Sequence, residues 1–160
     1  MKKIFLPGGH VAIVDAEDYE SLTQWKWHFN KGYAVRKAYV GVVDGKEKYK
    51  NIRIHRLVIK APEDLQVDHI NGNRLDNRKS NLRLCSAYQN NLNRCGVKNT
   101  SSKYKGVSWR GYINKWTAQI EVNGKYKHIG CFYDECDAAL AYNLIAAEYF
   151  SEFAYFNKAT

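Results

Sequence analysis

Residues 65–94, LQVDHINGNRLDNRKSNLRLCSAYQNNLNR, decide how the rest of the 160-residue chain is read. Two short apolar stretches, 66–70 and 82–84, bracket a polar run of Asn, Asp, Gly and Arg. That run is turn-forming, because Asn and Asp side chains bond nearby backbone and Gly72 tolerates positive φ. Ser86 and Gln89 make an S-x-x-Q capping box, which predicts a helix from near Ala87 to about Arg94. The expected order is strand, structured loop, strand, helix.

The chemistry sits at two places in this unit. Asp68-His69 closes the first strand, and Asn90 lies one turn into the helix. Phosphodiester hydrolysis needs a base for water and a Lewis acid on the phosphate and leaving oxygen. His69 can supply the base; Asp68 and Asn90 offer two hard oxygens to Mg²⁺ or a similar ion. Neighbours on a strand point to opposite faces, so the pair converges only if the strand ends there or the backbone twists.

With these residues in register, 52–94 resembles the HNH homing endonucleases of the phage type, on DHINGNRLDNRKSNLR…QNNLNR and the upstream IHRLV at 54–58. The resemblance implies a ββα-metal core with Asp68 and Asn90 as metal ligands and His69 as general base. It also implies that Asn81 braces the loop and orients the histidine. The ion implied is Mg²⁺, with Mn²⁺ second and no zinc. His55 either reaches the scissile phosphate or packs between the N-terminal sheet and the nuclease core, and packing is the favoured reading. Without the shared register, the Asn and Asp residues would be read as a turn and His69 as a surface residue.

Downstream, GVKNTSSK (96–103) is small and polar, with the linker proper at 99–103. Residues 104–132 read as a three-stranded antiparallel meander with turns at 112–115 and at Asn123-Gly124, a type I′ pair. Asp134 then caps a helix running to about Phe150, with Ala138, Ala141, Tyr142, Ile145 and Tyr149 on one face. Residues 104–157 resemble the Apetala/ethylene-response-factor DNA-binding domain, on YKGVSWR, KWTAQIEVNGK, HIGCF and AALAYNLIAAEYF. The resemblance implies that the sheet enters the major groove, with Lys105, Ser108, Arg110, Gln119, Glu121, Tyr126 and His128 facing it. Lys103, Lys125 and Lys127 would touch phosphate. Ser108, Gln119, Glu121 and His128 stand where the family carries other residues, several of them arginine, so its target sequence does not transfer. Trp116 is expected in the core, with Trp109 divided evenly between core and contact.

Before residue 52 the chain reads as short strands and turns: HVAIVD (10–15), a capped helical turn at 15–22, YAVRKAYVGVV (33–43), a Val-Asp-Gly-Lys turn, and KYKNIRIHRLVI (48–59). Trp25, Trp27, Phe29 and Tyr33 are expected to build a small core there. The fold class is α+β. The expected domains are a β-rich supporting segment at 1–51, the nuclease core at 52–98, and the DNA-binding domain at 104–160.

Charge and composition support this division. The net charge is +9, split as +3 over 1–52, +5 over 53–98, +5 over 99–128 and −4 over 129–160. A uniformly sticky cation would not be distributed so. The chain is 45% hydrophobic and 14% aromatic, which excludes a disordered polybasic tail, and no run reaches a membrane span. Without a signal peptide, the location expected is cytoplasmic, in the bacterial host of a phage or similar element. Four cysteines without a CxxC pair argue against a zinc knuckle. Arg74, Arg78, Lys79, Arg83, Asn93, Arg94 and Lys98 suit a track for DNA backbone. The partner expected is double-stranded DNA, met by a monomer with no small-molecule cofactor and no membrane. The function expected is a metal-dependent DNA endonuclease that nicks. The alternatives are a DNA-binding regulator with an inactive nuclease fold, and a basic RNA-binding protein.

Overall fold

The computed structural model describes residues 1–94 and 100–159. Cys95, Lys98 and residues 96–99 of the expected linker signal lie outside the described residues. The chain forms two units, Met1–Asn90 and Asn91–Thr160.

In the first unit a hairpin of β1 (Lys2–Leu6) and β2 (His10–Val14) precedes helix α1 (Ala16–Thr23). A second sheet follows in the order β3 (His28–Asn30), β4 (Tyr33–Val43), β5 (Lys46–Arg53). The β4–β5 turn carries positive φ at both central residues, Asp44 and Gly45, as a type I′ turn demands. The expected continuation of β5 through residue 59 is overturned, because Ile54–Val58 is a short helix, α2. Ile54 and Val58 are one helical turn apart and both enter the core, and Arg56 bonds the carbonyls of Ala61, Pro62 and Leu65 behind it. Burial at that spacing overrides the β preference of the isoleucines and valine.

One core joins these pieces. Ile4, Leu6, Ala12, Val14, Leu22, Trp27, Ala34, Ile54, Val58 and Leu82 form a single buried cluster, so the segment before residue 52 and the one after it pack together. Of the four expected core aromatics only Trp27 belongs, its indole N–H donating to the Leu22 carbonyl at 2.7 Å. Trp25 lies outside under the Arg36 guanidinium, 4.0 Å from its ring centroid, and Phe29 stacks on His10. Tyr33 turns towards the polar site described below.

The strand–loop–strand–helix is present as β6 (Gln66–His69), β7 (Leu82–Cys85) and α3 (Ala87–Leu92). The capping box closes in both directions: Ser86 N–H donates to Gln89 Oε1 (2.8 Å) and Gln89 N–H to Ser86 Oγ (3.2 Å). The helix stops two residues short of Arg94.

In the second unit β8 (Val107–Arg110), β9 (Lys115–Val122) and β10 (Lys125–Phe132) form the expected antiparallel meander, with helix α4 (Glu135–Phe150) packed on one face. Asn123 and Gly124 both have positive φ, and Asp134 accepts from the N–H groups of Cys136 and Asp137. The buried face of α4 is Ala138, Ala139, Tyr142, Ala146 and Phe150, rotated from the expected stripe; Tyr149 is exposed. Tyr142 lies so close over Gly106 that a Cβ there would meet its ring at 2.2 Å. Asn157, also buried, exchanges side-chain bonds with the Lys105 backbone, and its own N–H and carbonyl pair with the Asn143 side-chain amide, holding the tail to the start of the sheet. Trp116 packs against the core, while the Trp109 ring rests edge-on against it at 5.2 Å. No helix among the described residues is long and apolar enough to cross a membrane.

Candidate active site

The loop between β6 and β7 is built by its own amides. Asn71 N–H and Asn81 Oδ1 meet at 3.0 Å, and Asn81 Nδ2 donates to the Asp76 carbonyl at 2.8 Å. Asn71 Nδ2 donates to Asp76 Oδ2, Asn73 N–H to Asn71 Oδ1 and Leu75 N–H to Asn73 Oδ1. Arg78 grips Asp76 through Nε and Nη2 at 2.8 and 2.6 Å, and this pairing holds the Asp76 carboxyl below the usual carboxylate range. The loop is propped from outside as well. Ile13 on β2 exchanges backbone bonds with Leu75 and Asn77, and Asp15 Oδ2 accepts from Lys79 N–H at 2.8 Å. Buried Asn, Asp and backbone groups are thereby paired, as a polar loop against a core requires.

Within this frame β6 runs regularly through its last pair, His69 opposite Leu82. β6 ends at His69, the end-of-strand condition under which Asp68 and His69 can serve one site. His69 is 5% exposed, with its ring 5.0 Å from His55, 6.2 Å from Tyr33, and Nε2 3.5 Å from Asn77 Oδ1. His55 is equally buried, edge-on to both His69 and Tyr33. Burial pushes the His55 pKa down to about 3, helped by the nearby His69, Arg53 and Arg56 charges. Burial also lowers that of His69, against the opposing Asn77 bond and the Asp68 and Asp76 charges. Both rings are neutral near pH 7, and a neutral imidazole is the form that accepts a proton. Asn77 meets the His69 ring, and Asn81 bonds the loop backbone at Asn71 and Asp76.

Asp68 Oδ2 accepts from Nε (2.9 Å) and Nη2 (2.6 Å) of Arg83, its cross-strand partner. Asn90 Nδ2 donates to Gln66 Oε1 at 2.6 Å, and Gln66 shares a face with Asp68 two positions along β6. Asp68, Gln66 and Asn90 therefore offer hard oxygen donors, which fit Mg²⁺ or Mn²⁺ and do not suit zinc. The single carboxylate charge is already balanced by Arg83. No group of three His, Cys, Asp or Glu forms a metal cluster among the described residues.

The expected backbone track divides. Arg78 is paired with Asp76, Lys79 with Glu17 and Asp18, and Arg83 with Asp68, whereas Arg74 is exposed beside Tyr33. Asn93 and Arg94 belong to the second unit, and Lys98 lies outside the described residues. In the second unit, register places Ser108, Arg110, Gln119, Glu121, Tyr126 and His128 on the sheet face away from α4. Lys127 points to the α4 side, where Nζ meets the Tyr149 hydroxyl at 2.7 Å, and Lys125 sits opposite Val122 on that same side. Lys105 Nζ is held by the carbonyls of Leu92 and Arg94, and Lys103 sits over the Tyr104 ring.

A family model described as HNH endonuclease matches residues 53–92. A protein of Acanthamoeba polyphaga mimivirus named "Uncharacterized HNH endonuclease L560" is 38% identical over 153 residues, spanning 94% of this chain and 76% of the relative. The chain belongs to the HNH endonuclease family. Protein 3.8 of Escherichia phage T7 is also similar, 33% identical over 96 residues, covering 57% of this chain and 74% of that protein. The matched segment of this HNH protein contains Asp68, His69, Asn81 and Asn90 together. Sequence reasoning missed Asn77 as the partner of His69, Tyr33 as a neighbour of both histidines, and the Asp68–Arg83 pair. Only the last had a local signal, the opposite charges facing each other in the β6–β7 register.

Proposed function

We propose that this HNH family member is a divalent-metal-dependent, homing-type endonuclease that nicks double-stranded DNA. The observation that carries the reading is a buried, neutral His69 held at the end of β6 by a fully bonded Asn-Asp loop. In the tautomer that donates Nε2–H to Asn77, Nδ1 takes the proton from the attacking water. Asn77 orients the ring, and His55 and Tyr33 keep bulk water from it. Asn81 and Asp76 hold the loop that fixes this arrangement. Asp68 and Asn90, with Gln66 beside them, would hold the divalent ion, Mg²⁺ before Mn²⁺. When bound, that ion stabilises charge on the phosphate and on the leaving oxygen.

Residues 52–98 act as the nuclease core, supported by 1–51, and 104–160 extend target recognition through the sheet face opposite α4. Ser108, Arg110, Gln119, Glu121, Tyr126 and His128 supply base-edge and groove contacts there. Tethering the two modules raises the effective concentration of a weak nuclease at its site. One site per chain favours a nick and a monomer.

One observation favours the second reading, a DNA-binding regulator with a silent nuclease fold: Arg83 neutralises Asp68. Supercoiled plasmid separates the two. The nuclease converts it to open circles with Mg²⁺ or Mn²⁺ and stops in EDTA, while the regulator shifts its mobility in both buffers and leaves it intact.

A further inference from the structure

The first unit has six arginines, and most have their charge or donors committed. Arg78 and Arg83 are ion-paired, Arg56 bonds three carbonyls, and Arg36 lies over Trp25. Arg53 and Arg74 are freer, with only a long 3.4 Å bond from Arg74 Nη1 to the Lys31 carbonyl. Neither is ion-paired among the described residues, both are exposed, and both converge on one ring. Their guanidinium carbons stand 5.0 and 4.9 Å from the Tyr33 ring centroid. They line a cleft of about 330 Å³ with Asn30, Lys31, Tyr33 and Asn51, and no acidic side chain is part of its wall.

This placement comes from three separate elements. The Lys31-Gly32 turn between β3 and β4 presents Tyr33, and the end of β5 presents Arg53 opposite Val35. The β6–β7 loop brings Arg74, whose Cδ passes so near Gly32 that a Cβ there would lie 3.2 Å from it. Tyr33 joins the cleft to the site, its ring lying 5.2 Å from His55 and 6.2 Å from His69. Two guanidinium forks over an aromatic ring, facing solvent and unopposed by carboxylates, match the geometry of a phosphodiester anion.

We propose that Tyr33, Arg53 and Arg74 form a seat for one DNA backbone phosphate, which holds the strand in place for His69. The inference rests on the nuclease reading for its purpose but not for its test. Tyr33 and Arg53 are positioning residues here; they set where the strand lies rather than take part in the proton transfer.

Binding of the full-length chain to a short mixed-sequence duplex is measured in EDTA across a potassium chloride series. Each phosphate contact contributes about 0.9 to the slope of log affinity against log salt. Arg53→Gln and Arg74→Gln should each reduce that slope by about 0.9 and the double variant by about 1.8. Arg53→Lys should retain it, which separates lost charge from damaged folding. Lys26→Gln, at a different cleft of the same unit, should leave it unchanged. Unchanged slopes in both arginine variants overturn the seat, as does an equal drop in Lys26→Gln. Because no cleavage is read, shifted slopes in a protein that never nicks plasmid would uphold the seat while removing the nuclease reading. Nicking with unchanged slopes would do the reverse.

Discussion

The two units hold their key residues by opposite means. In the first, the β6–β7 loop is a network of amides and ion pairs, with Asp76, Asn77 and Asn81 buried and bonded. In the second, α4 lies on the sheet through Ala138, Ala139 and Ala146, a close apolar contact made possible by small residues. A site that moves protons needs polar groups fixed inside the protein, so its scaffold is itself polar and every donor must be matched. The sheet surface proposed for DNA recognition needs only a rigid back, and an apolar one serves. The cost of error differs accordingly: a lost bond in the loop, a lost gap under the helix.

That contrast can be broken most severely at Gly106. Alanine there would strain a positive φ and drive a Cβ into the Tyr142 ring, so Gly106→Ala should cost about 4 kcal/mol in the second unit. Thermal or denaturant unfolding of the full chain checks it. In the first unit Asp76→Ala should cost about 3 kcal/mol, because it leaves Arg78 and Asn71 without their buried partner. The transition of the second unit should stay where it was.

pH sharpens the same comparison. Burial keeps His55 neutral in the fold, while the unfolded chain takes up protons below about pH 6.5. The unfolded state then binds more protons, so stability is full above pH 6.5 and falls as pH drops towards 3. Between pH 7.5 and 4.5 His55 alone should cost roughly 2 to 3 kcal/mol, read as a falling melting temperature of the first unit. His69 acts in the same direction. His55→Gln should flatten most of the dependence, whereas a second unit without a buried histidine gives no comparable slope. The smallest effect belongs to the face proposed to hold metal. Arg83→Met should raise Mn²⁺ affinity of the DNA-free protein by roughly fivefold, about 1 kcal/mol, from a weak starting value, as followed by the free-ion paramagnetic signal.

Local signals in the sequence carried a good deal of this. The capping box at Ser86 and Gln89, the type I′ pairs Asp44-Gly45 and Asn123-Gly124, the Asp134 cap and the strand order around Asp68-His69 are all short-range patterns, and each is present. What escaped depends on distant partners. IHRLV reads as a strand until the core for Ile54 and Val58 is known. Tyr33 looks like one more core aromatic until β4 and β5 carry it and Arg53 to the histidines. The bonds of Lys105, expected at the groove, to the Leu92 and Arg94 carbonyls, and of Lys127, expected at phosphate, to the Tyr149 hydroxyl likewise have no local signal. Asn157 gives no signal at all, because its partners Lys105 and Asn143 are set by tertiary folding alone.

The central claim is that His69 is the base. Single-turnover nicking of supercoiled plasmid in Mg²⁺ or Mn²⁺ tests it, comparing wild type with His69→Ala at matched DNA occupancy. General-base catalysis contributes on the order of 10²- to 10⁴-fold, so the variant should bind equally and nick slower by that factor. Nicking by His69→Ala within twofold of wild type would contradict the account.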